Sequence, residues 1–377
     1  MADLHTKSTG DAAALLLVGG GHAHVAVLAD WIRHGAPSGV RAVLVTPDRH
    51  LRYTGMVPGW LAGQHSADDG LVDLAALAER AGVELLLDRC TGLDPDAREV
   101  RMASGGTIRF TIGSFDTGGE GQAAMRLGDD PRLIDVRPIG AFVERMIALP
   151  APGHVVIAGG GAGGVELAFG TRNLAGTNPP PHVTLVAGAG GILPGFASAV
   201  QRRVAKALAR QLIAVVEADA RFENGAITAG AHSLEPADIV IAATGSAAPG
   251  WVRDSSLATD ATGFLAVDAH HRSTSHHHIF AAGDVAARID RPLTHSGVHA
   301  VFAGPVLAAN LRHALAGEAP RRSYRPRWNN LYLMNTGDGR AIASYGPLAA
   351  EGRWMLALKH WIDKRWIAQY AVLAESA

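Results

Sequence analysis

The chain has 377 residues, of which 48% are hydrophobic, and its formal net charge at pH 7 is −1. This length suggests two or three domains with sizeable cores, and the balanced charge lacks the basic footprint of a nucleic-acid-binding protein. No stretch is apolar over the ~20 residues that a membrane-spanning helix needs. The apolar residues 12–18 lead straight into a glycine turn, which indicates a first strand rather than a secretion signal and predicts a cytoplasmic location.

A nucleotide-binding turn occurs twice in this sequence. A short apolar run precedes Gly19–His24, and another precedes Gly159–Gly164. Each pattern is typical of a buried parallel strand that ends in a glycine turn and continues as a helix. The first glycine of each turn would bend the chain, and the second, Gly21 or Gly161, would let the backbone approach a pyrophosphate at the helix N-terminus. Two such turns predict that one polypeptide binds two dinucleotides.

The repeat continues after the turns. In each half, a second strand is followed by a β-hairpin and by a closing strand that ends in Thr-Gly. The paired segments are residues 43–45 and 183–186 for the second strands, 104–106 and 224–225 for the hairpin turns, and Gly118 and Gly245 at the closing ends. The same α/β unit is therefore predicted twice, as two Rossmann-like units.

The first turn departs from this pattern at its third glycine. Gly164 supplies the small residue in the second turn, whereas His24 stands in the first. His22 and His24 flank the turn either as catalytic groups or as residues that pack against the cofactor, and we favour packing. Asp48, which follows the second strand, is our candidate for binding the adenosine ribose. Ala187 holds that place in the second half, so the sequence does not distinguish NADH from NADPH.

A third glycine motif, Gly283–Asp284, follows a strand after the second unit. With this motif, the sequence resembles the pyridine nucleotide-disulfide oxidoreductase superfamily, specifically its cysteine-free branch of type II NADH:quinone dehydrogenases. Residues 19–24, 47–50, 53–59 and 336–340 are also similar to the flavoprotein module that is found fused ahead of selenophosphate synthase.

The resemblance implies FAD and NAD(P)H as cofactors. In such flavoproteins an aspartate in the place of Asp284 caps a helix near the pyrophosphate, and a glutamate in the place of Glu166 orients the nicotinamide carboxamide at the flavin. His295 stands where the module carries a lysine, and a protonated histidine there would stabilise reduced flavin. Glu166 and His295 are thus the catalytic candidates, although Glu166 could instead be a surface glutamate at a helix start. The cofactor-binding candidates are Gly19, Gly21, His22, His24, Asp48, Thr54, Gly118, Gly159, Gly161, Gly164, Gly245, Gly283 and Asp284.

Cys90 is the only cysteine in the sequence. No intramolecular disulfide can form, which excludes a thiol-disulfide reductase with a Cys-x-x-Cys pair. We expect Cys90 to be a buried residue at a strand end. The run His276–His278 predicts a solvated turn rather than a metal site, because three consecutive side chains on an extended segment cannot all point one way.

The C-terminal region is rich in tryptophan. At helical spacing one apolar face carries Trp354, Met355, Leu358, Trp361, Ile362 and Trp366, and the opposite face carries Arg353, His360, Asp363 and Lys364. This stripe predicts a helix that lies in a membrane interface or one that docks on the protein itself or on a partner subunit. Arg365 within the stripe argues against the membrane, whereas the quinone-reaching C-terminal helices of type II dehydrogenases favour it.

The sequence therefore predicts an α/β fold of the glutathione reductase type, with the NAD(P) unit inserted in the FAD unit. The expected divisions are 13–140 and 264–326 for the FAD unit, 141–263 for the NAD(P) unit and 327–377 for a C-terminal cap with an amphipathic helix. The predicted function is transfer of hydride from NAD(P)H to flavin and of electrons to an acceptor, a quinone. Two alternatives stay open, namely a flavoenzyme that acts on a selenium or sulfur species and a non-catalytic flavin-binding partner protein. A homodimer and a peripheral contact with the inner face of a membrane are also left open.

Overall fold

The computed structural model describes residues 12–375, and strands and helices alternate through its first part. The elements up to residue 115 are β1 (Ala13–Val18), α1 (His22–His34), β2 (Ala42–Thr46), β3 (His50–Arg52), α2 (Val57–Leu61), β4 (Leu71–Asp73), α3 (Leu74–Arg80), β5 (Glu84–Leu87), β6 (Cys90–Asp94), β7 (Glu99–Met102) and β8 (Thr107–Phe115). A 3₁₀ turn, Thr54–Met56, leads into α2.

The first sheet has a parallel part in the order β5-β2-β1-β8. The central strand β1 is almost wholly buried, as expected for a continuous apolar run that has neighbours on both sides and helices on both faces. The start of β8 joins β7 and β6 in an antiparallel extension. The predicted hairpin turn at 104–106 is confirmed, with Gly105 at φ +93° between β7 and β8.

A second parallel sheet follows. Its region contains α4 (Ala123–Leu127), β9 (Leu133–Asp135), α5 (Ile139–Ala148), β10 (His154–Ala158), α6 (Ala162–Arg172), β11 (His182–Val186), α7 (Ser198–Arg210), β12 (Ala214–Val216), β13 (Ala220–Glu223), β14 (Ala226–Ala229), β15 (His232–Ser233), β16 (Ile239–Ala242) and α8 (Gly250–Arg253). The parallel order is β12-β11-β10-β16-β9, and β13, β14 and β15 form a small antiparallel sheet. The predicted turn between β13 and β14 is confirmed, with positive φ at Asn224 and Gly225 as a two-residue hairpin requires.

The chain crosses between the two sheets at neighbouring points. Glu120 on the outward crossing and Ala247 on the return form an antiparallel bridge. Strand β9 lies after the outward crossing and pairs in parallel with β16, with Ile134 opposite Ile241. We therefore propose that the inserted unit begins near residue 120 rather than at residue 141.

The chain then returns to the first sheet. The elements of this part are β17 (Leu265–Val267), β18 (Ile279–Ala281), β19 (Ala286–Arg288) and α9 (Gly297–Leu315). Strand β18 pairs in parallel with the end of β8, so the second sheet is inserted within the first. Helix α9 crosses α1 so closely that a Cβ on Gly304 would lie 2.6 Å from the Cβ of Ala26.

The C-terminal part is an antiparallel sheet followed by a long helix. Its elements are β20 (Leu331–Asn335), β21 (Ala341–Tyr345), β22 (Leu348–Gly352) and α10 (Arg353–Glu375). Trp366 and Tyr370 of α10 join the core of the first unit. Met355 and Leu356 pack with alanines of β21 in a separate cluster. The cap therefore ties its own sheet to the first unit.

The predicted apolar stripe of α10 is wrong in part. The buried face consists of Met355, Leu356, Lys359, Asp363, Trp366 and Tyr370. Trp354 and Trp361, expected on the same face as Trp366, are 63% and 58% exposed, and Asp363, expected on the solvent face, is buried. The reason is that the buried face of the helix includes an ion pair between two of its own side chains, described below, which a count of apolar positions does not detect.

The predicted fold class is confirmed: an α/β protein with two parallel, Rossmann-like sheets. Within the described residues, no helix is both long and apolar enough to span a membrane.

Candidate functional site

The two glycine turns have the same local geometry. The N–H of Gly19 donates to Val45 O at 2.7 Å, and the N–H of Gly159 donates to Val186 O at 2.8 Å. Both glycines have positive φ, +95° and +134°. A Cβ would lie 2.4 Å from Asp116 O in the first turn and 2.3 Å from Ala243 O in the second. Each turn therefore packs against the end of its closing strand in a way that only glycine permits.

The second turn is open where a phosphate would approach. A Cβ built on Gly161 meets no described atom within 4 Å, whereas one on Gly164 would lie 1.9 Å from Gly159 O. Gly164 thus lets α6 lie directly on the turn, and Gly161 leaves free space at the N-terminus of that helix. Unpaired N–H groups and the helix dipole favour an anion there. These residues fit the diphosphate of a dinucleotide.

The first turn is filled by a carboxylate. Asp116, at the end of β8 and 3% exposed, accepts hydrogen bonds from the N–H groups of Ala23 (2.7 Å) and His24 (3.1 Å) at the start of α1. A Cβ on Gly21 would lie 2.3 Å from its Cγ, and one on Gly283 would lie 2.3 Å from its Oδ1. Two glycines from distant parts of the chain therefore converge on one anion position, which the Asp116 carboxylate occupies.

Burial raises the pKa of Asp116 to about 7, the nearby Asp284 adds to the rise, and the two N–H donors oppose it. Sequence reasoning missed this residue. A comparison of the two halves of the sequence could have identified it, because the matching position in the second unit is Ala243, which carries no charge.

His24 does not act as a small residue in the first turn. Its side chain is fully buried, with Nδ1 2.6 Å from Gly19 O and Nε2 2.9 Å from Ser114 Oγ. Burial lowers the pKa of His24 to about 4, although the Gly19 carbonyl opposes that shift. A neutral imidazole thus bridges α1 and β8 where the second unit has direct helix–strand contact.

An aromatic stack closes the first turn. Trp366 of α10 lies 4.7 Å from the ring of Tyr53, in a stacked arrangement, and 5.0 Å from the ring of His22. Burial lowers the pKa of His22 to about 4 against the attraction of Asp284. His22 is therefore a neutral packing residue beside the turn, and the cap helix supplies the ring that covers it.

Next to this stack, a group of ionisable side chains lies where both units meet the cap. Glu166 of α6 accepts the N–H of Asn335 at 2.8 Å. Lys359 Nζ lies 3.3 Å from Asp363 Oδ2. Burial raises the pKa of Glu166, an effect that Lys359 and the Asn335 N–H oppose and Asp363 reinforces. Sequence reasoning placed Glu166 at a functional contact but did not foresee its two neighbours from α10.

Tyr53 connects this group to the first unit. The pKa of Tyr53 is raised above its usual range, mainly by burial. The negative charge of Asp363, a hydrogen bond with Asp363 and the charge of Glu166 add to this rise. The rings of His65 and His360 meet edge to face at 4.7 Å and lie only half-buried beside Asp363. Hydrogen-bonding and titratable groups thus extend from the buried Lys359 and Asp363 toward the surface.

The third glycine motif lies on the other side of the first turn. Asp284 accepts a hydrogen bond from Arg137 at 2.8 Å. Gly283, Asp284 and His295 line one cavity together. His295 is exposed, and its ring packs at a tilt against that of Phe264, with ring centroids 4.1 Å apart. The structure therefore places His295 near Gly283–Asp284 and gives it no hydrogen bond to Glu166.

The remaining candidates lie at exposed or open positions. Asp48 is exposed after β2, and its carbonyl accepts from Thr46 Oγ1 at 3.3 Å. Thr54 is exposed at the start of the 3₁₀ turn. Gly118 and Gly245 have φ of +72° and +87° beside the two chain crossings, with open space at their Cβ positions.

Cys90 is buried, as predicted, and burial raises the pKa of its thiol to about 12. Among residues 12–375, no group of three or more His, Cys, Asp or Glu side chains is arranged to hold a metal ion.

Comparison with known proteins decides the family. Residues 13–304 match the pyridine nucleotide-disulphide oxidoreductase family. The chain belongs to this family. The predicted cofactors, FAD and NAD(P)H, and the general class of flavin-dependent oxidoreductase are thereby confirmed. No curated protein matches the chain in sequence.

Solved structures share the fold at low identity. The sulfide:quinone oxidoreductase of Aquifex aeolicus is 16% identical with a TM-score of 0.74, over 94% of this chain and 91% of that one. The ferredoxin reductase for the CYP199A2 system of Rhodopseudomonas palustris is 19% identical with a TM-score of 0.70, over 88% and 81%. Putidaredoxin reductase, in a covalent complex with putidaredoxin, is 19% identical with a TM-score of 0.71, over 89% and 82%.

The residues of this chain fit both cofactors. The open N-terminus of α6 suits the diphosphate of one dinucleotide. In the first unit, the carboxylate of Asp116 occupies the position that a phosphate group would take. It accepts two N–H donors at the point where Gly21 and Gly283 converge.

Proposed function

We propose that this protein passes hydride from NAD(P)H to FAD and electrons onward to a quinone. The observation that carries the proposal is the group of ionisable side chains at the junction of the two units and the cap, in which Lys359 and Asp363 are buried and Tyr53 and Glu166 are half-buried. Quinone reduction takes up protons together with electrons. Groups that hold protons beside a redox centre, with a path to the surface through His65 and His360, suit such an acceptor.

Each unit has a part in this proposal. The second unit holds NAD(P)H at Gly159, Gly161 and Gly164, and Glu166 orients the nicotinamide. The first unit holds FAD at the anion position between Gly21 and Gly283. The other residues proposed to line the cofactors are Gly19, His22, His24, Asp48, Thr54, Gly118, Gly245, Asp284 and His295. FAD, when bound, supplies the hydride acceptor, and the protein supplies orientation and electrostatics.

The exposed surface of α10 supports a lipophilic acceptor. Trp354 and Trp361 are large indole side chains left 63% and 58% exposed. The guanidinium of Arg365 lies 5.5 Å from the Trp361 ring centroid, and Lys364 is exposed beside it. Indole rings favour the headgroup region of a bilayer, and cations favour anionic lipid. We propose a peripheral contact with the inner face of a membrane, which would bring the site to its quinone.

We also propose that this chain is related to the type II NADH dehydrogenases and to the flavoprotein module fused to selenophosphate synthase. The alternative acceptor, a selenium or sulfur species, would have to react without a thiolate from this chain, because burial keeps the pKa of Cys90 near 12. A non-catalytic partner protein would have no use for a buried titratable group at the junction. A homodimer stays a proposal.

Anaerobic mixing tests the proposed function. Purified protein that contains FAD is mixed with NADH or NADPH while the flavin absorbance is followed, and then a short-chain quinone is added. We expect bleaching by at least one nucleotide and reoxidation by the quinone. Failure of both nucleotides to bleach the flavin would refute the electron donor, and bleaching without reoxidation by quinone would refute only the acceptor.

The Glu166→Gln variant is the matched control, because glutamine can still accept the Asn335 N–H. It should keep its FAD and its reduction by dithionite but be reduced more slowly by NAD(P)H.

A further inference from the structure

The same position differs in charge between the two halves of this chain. Asp116 and Ala243 each stand at the end of the closing strand of their unit. The carbonyl oxygen of Asp116 would lie 2.4 Å from a Cβ on Gly19, and that of Ala243 would lie 2.3 Å from a Cβ on Gly159. Only Asp116 sends a carboxylate back to the N-terminus of the following helix. The second turn therefore stays open at Gly161, and the first is filled at Gly21.

The filled position is the one a diphosphate needs. The Ala23 and His24 N–H groups at the start of α1 are the donors that a bound phosphate would use, and Asp116 Oδ2 takes both. Gly283 closes the position from the opposite side, with Asp116 Oδ1 2.3 Å from its built Cβ. A diphosphate cannot enter without movement of the carboxylate.

We propose that Asp116 is an internal competitor for the FAD diphosphate, and that FAD binds to the first unit with uptake of one proton by this carboxyl group. The inference rests on the proposed placement of FAD in the first unit. If Asp116 must take up a proton when FAD binds, the affinity for FAD depends on pH, and this single residue sets that dependence.

The charges around Asp116 explain why the proton is needed. The titratable groups that face it are Asp284, His22 and His24. Asp284 is a second carboxyl group and already takes the guanidinium of Arg137 at 2.8 Å. Both histidines are neutral near pH 7, since burial holds the pKa of each near 4. None of the neighbours named here, all from the part of the chain that the structure describes, offers Asp116 a free positive charge. An ionised Asp116 would thus repel the diphosphate, whereas a protonated one could donate a hydrogen bond to it.

FAD titrations of the apoprotein test the proposal, with Kd measured by flavin fluorescence from about pH 6 to pH 9. Below pH 7 the wild-type Kd should be constant, because the pKa of Asp116 is about 7. Above it, Kd should rise by up to about tenfold per pH unit, as expected for one linked proton. Asp116→Asn and Asp116→Ala should show no such rise and should bind at least about tenfold more tightly than wild type near pH 8.5.

Asp238→Asn is the matched control. Asp238 also accepts two backbone N–H groups, from Gly153 at 2.8 Å and from His154 at 3.0 Å, but it lies beside the start of β10, at the opposite end of that strand from Gly159. This variant should keep the wild-type pH dependence of FAD binding.

Calorimetry gives a second measurement that needs no variant. FAD binding by wild type near pH 8 should take up close to one proton, read from the heats in two buffers of different ionisation enthalpy. A flat Kd and no proton uptake in wild type would overturn the competitor while leaving FAD binding intact. FAD binding by none of the proteins at any pH would overturn the proposed placement of FAD, and the inference with it.

Discussion

Lys359 and Asp363 face each other one turn apart on α10, with 3.3 Å between Nζ and Oδ2 and side chains only 9% and 5% exposed. A buried ion pair adds little net stability, because desolvation of both charges offsets their attraction. Its position matters more here, since it lies against Glu166 and Tyr53 from two other parts of the chain. The pair therefore lies at the contact between the cap helix and residues of both units.

Removal of one partner should destabilise the fold strongly. Lys359→Met leaves the buried Asp363 near Glu166 without the Lys359 ammonium, at an expected cost of about 3–5 kcal/mol in the free energy of unfolding. The double variant with Asp363→Leu should recover part of this loss, because it removes the uncompensated charge. Urea unfolding measures both. An equal loss in the single and double variants would contradict the pairing.

Substitution at Gly161 should impair the binding of NAD(P)H without affecting that of FAD. A leucine there meets no described atom of the protein within 4 Å of its Cβ but enters the volume of the bound nucleotide. Reduction of the flavin by NAD(P)H should slow by more than about tenfold, with FAD content unchanged. Stopped-flow absorbance is the measurement. Gly161→Leu that is reduced at the wild-type rate would exclude this turn as the donor site.

Two buried histidines should make the fold sensitive to acid. Burial lowers the pKa of His24 and His271 to about 4, against an ordinary value of 6.5. The unfolded chain therefore binds these protons more readily. The contribution of these two histidines to the free energy of unfolding should be full above pH 6.5 and should fall as pH drops toward 4, by about 1.4 kcal/mol per pH unit for each histidine.

Asp116 acts in the opposite direction over that window, because its pKa of about 7 when folded lies above its ordinary 3.8. His24→Gln should therefore flatten the pH dependence, and Asp116→Asn should steepen it. Urea unfolding at several pH values reads both slopes, and identical slopes in all three proteins would show that these groups do not titrate as stated.

Substitution of the exposed tryptophans should impair only the reaction with a lipophilic acceptor. Trp354→Ser with Trp361→Ser leaves the buried face of α10 intact, so folding, FAD content and turnover with ferricyanide should be unchanged. Turnover with a long-chain quinone and binding to anionic vesicles should fall. Wild-type values for both would remove the support for a membrane contact.

Deletion after Gly352 should have a different effect. It also removes Trp366 and Tyr370 from the core of the first unit, so the truncated chain should lose stability and FAD. A soluble truncated protein with full FAD content would show that the cap is not part of the first unit's packing.

The sequence determined the features that depend on neighbouring residues. Apolar runs identified β1, β2, β10, β11 and β16, and glycine residues at the ends of such runs or between two strands identified the two dinucleotide turns and the hairpin turns. Each depends on a few consecutive residues, because backbone sterics and strand burial act locally. The repetition of these signals was enough to predict two Rossmann-like units.

Only the tertiary structure decided which polar groups are buried and what they meet. Asp116 caps α1 from 93 residues away, and Lys359 and Asp363 are buried because Glu166 and Tyr53 reach them from other elements. Helical spacing marks the apolar side of α10, but it assigns charged residues to solvent. A charged side chain is buried when partners distant in sequence satisfy it, and those partners are set by the folded arrangement of the units.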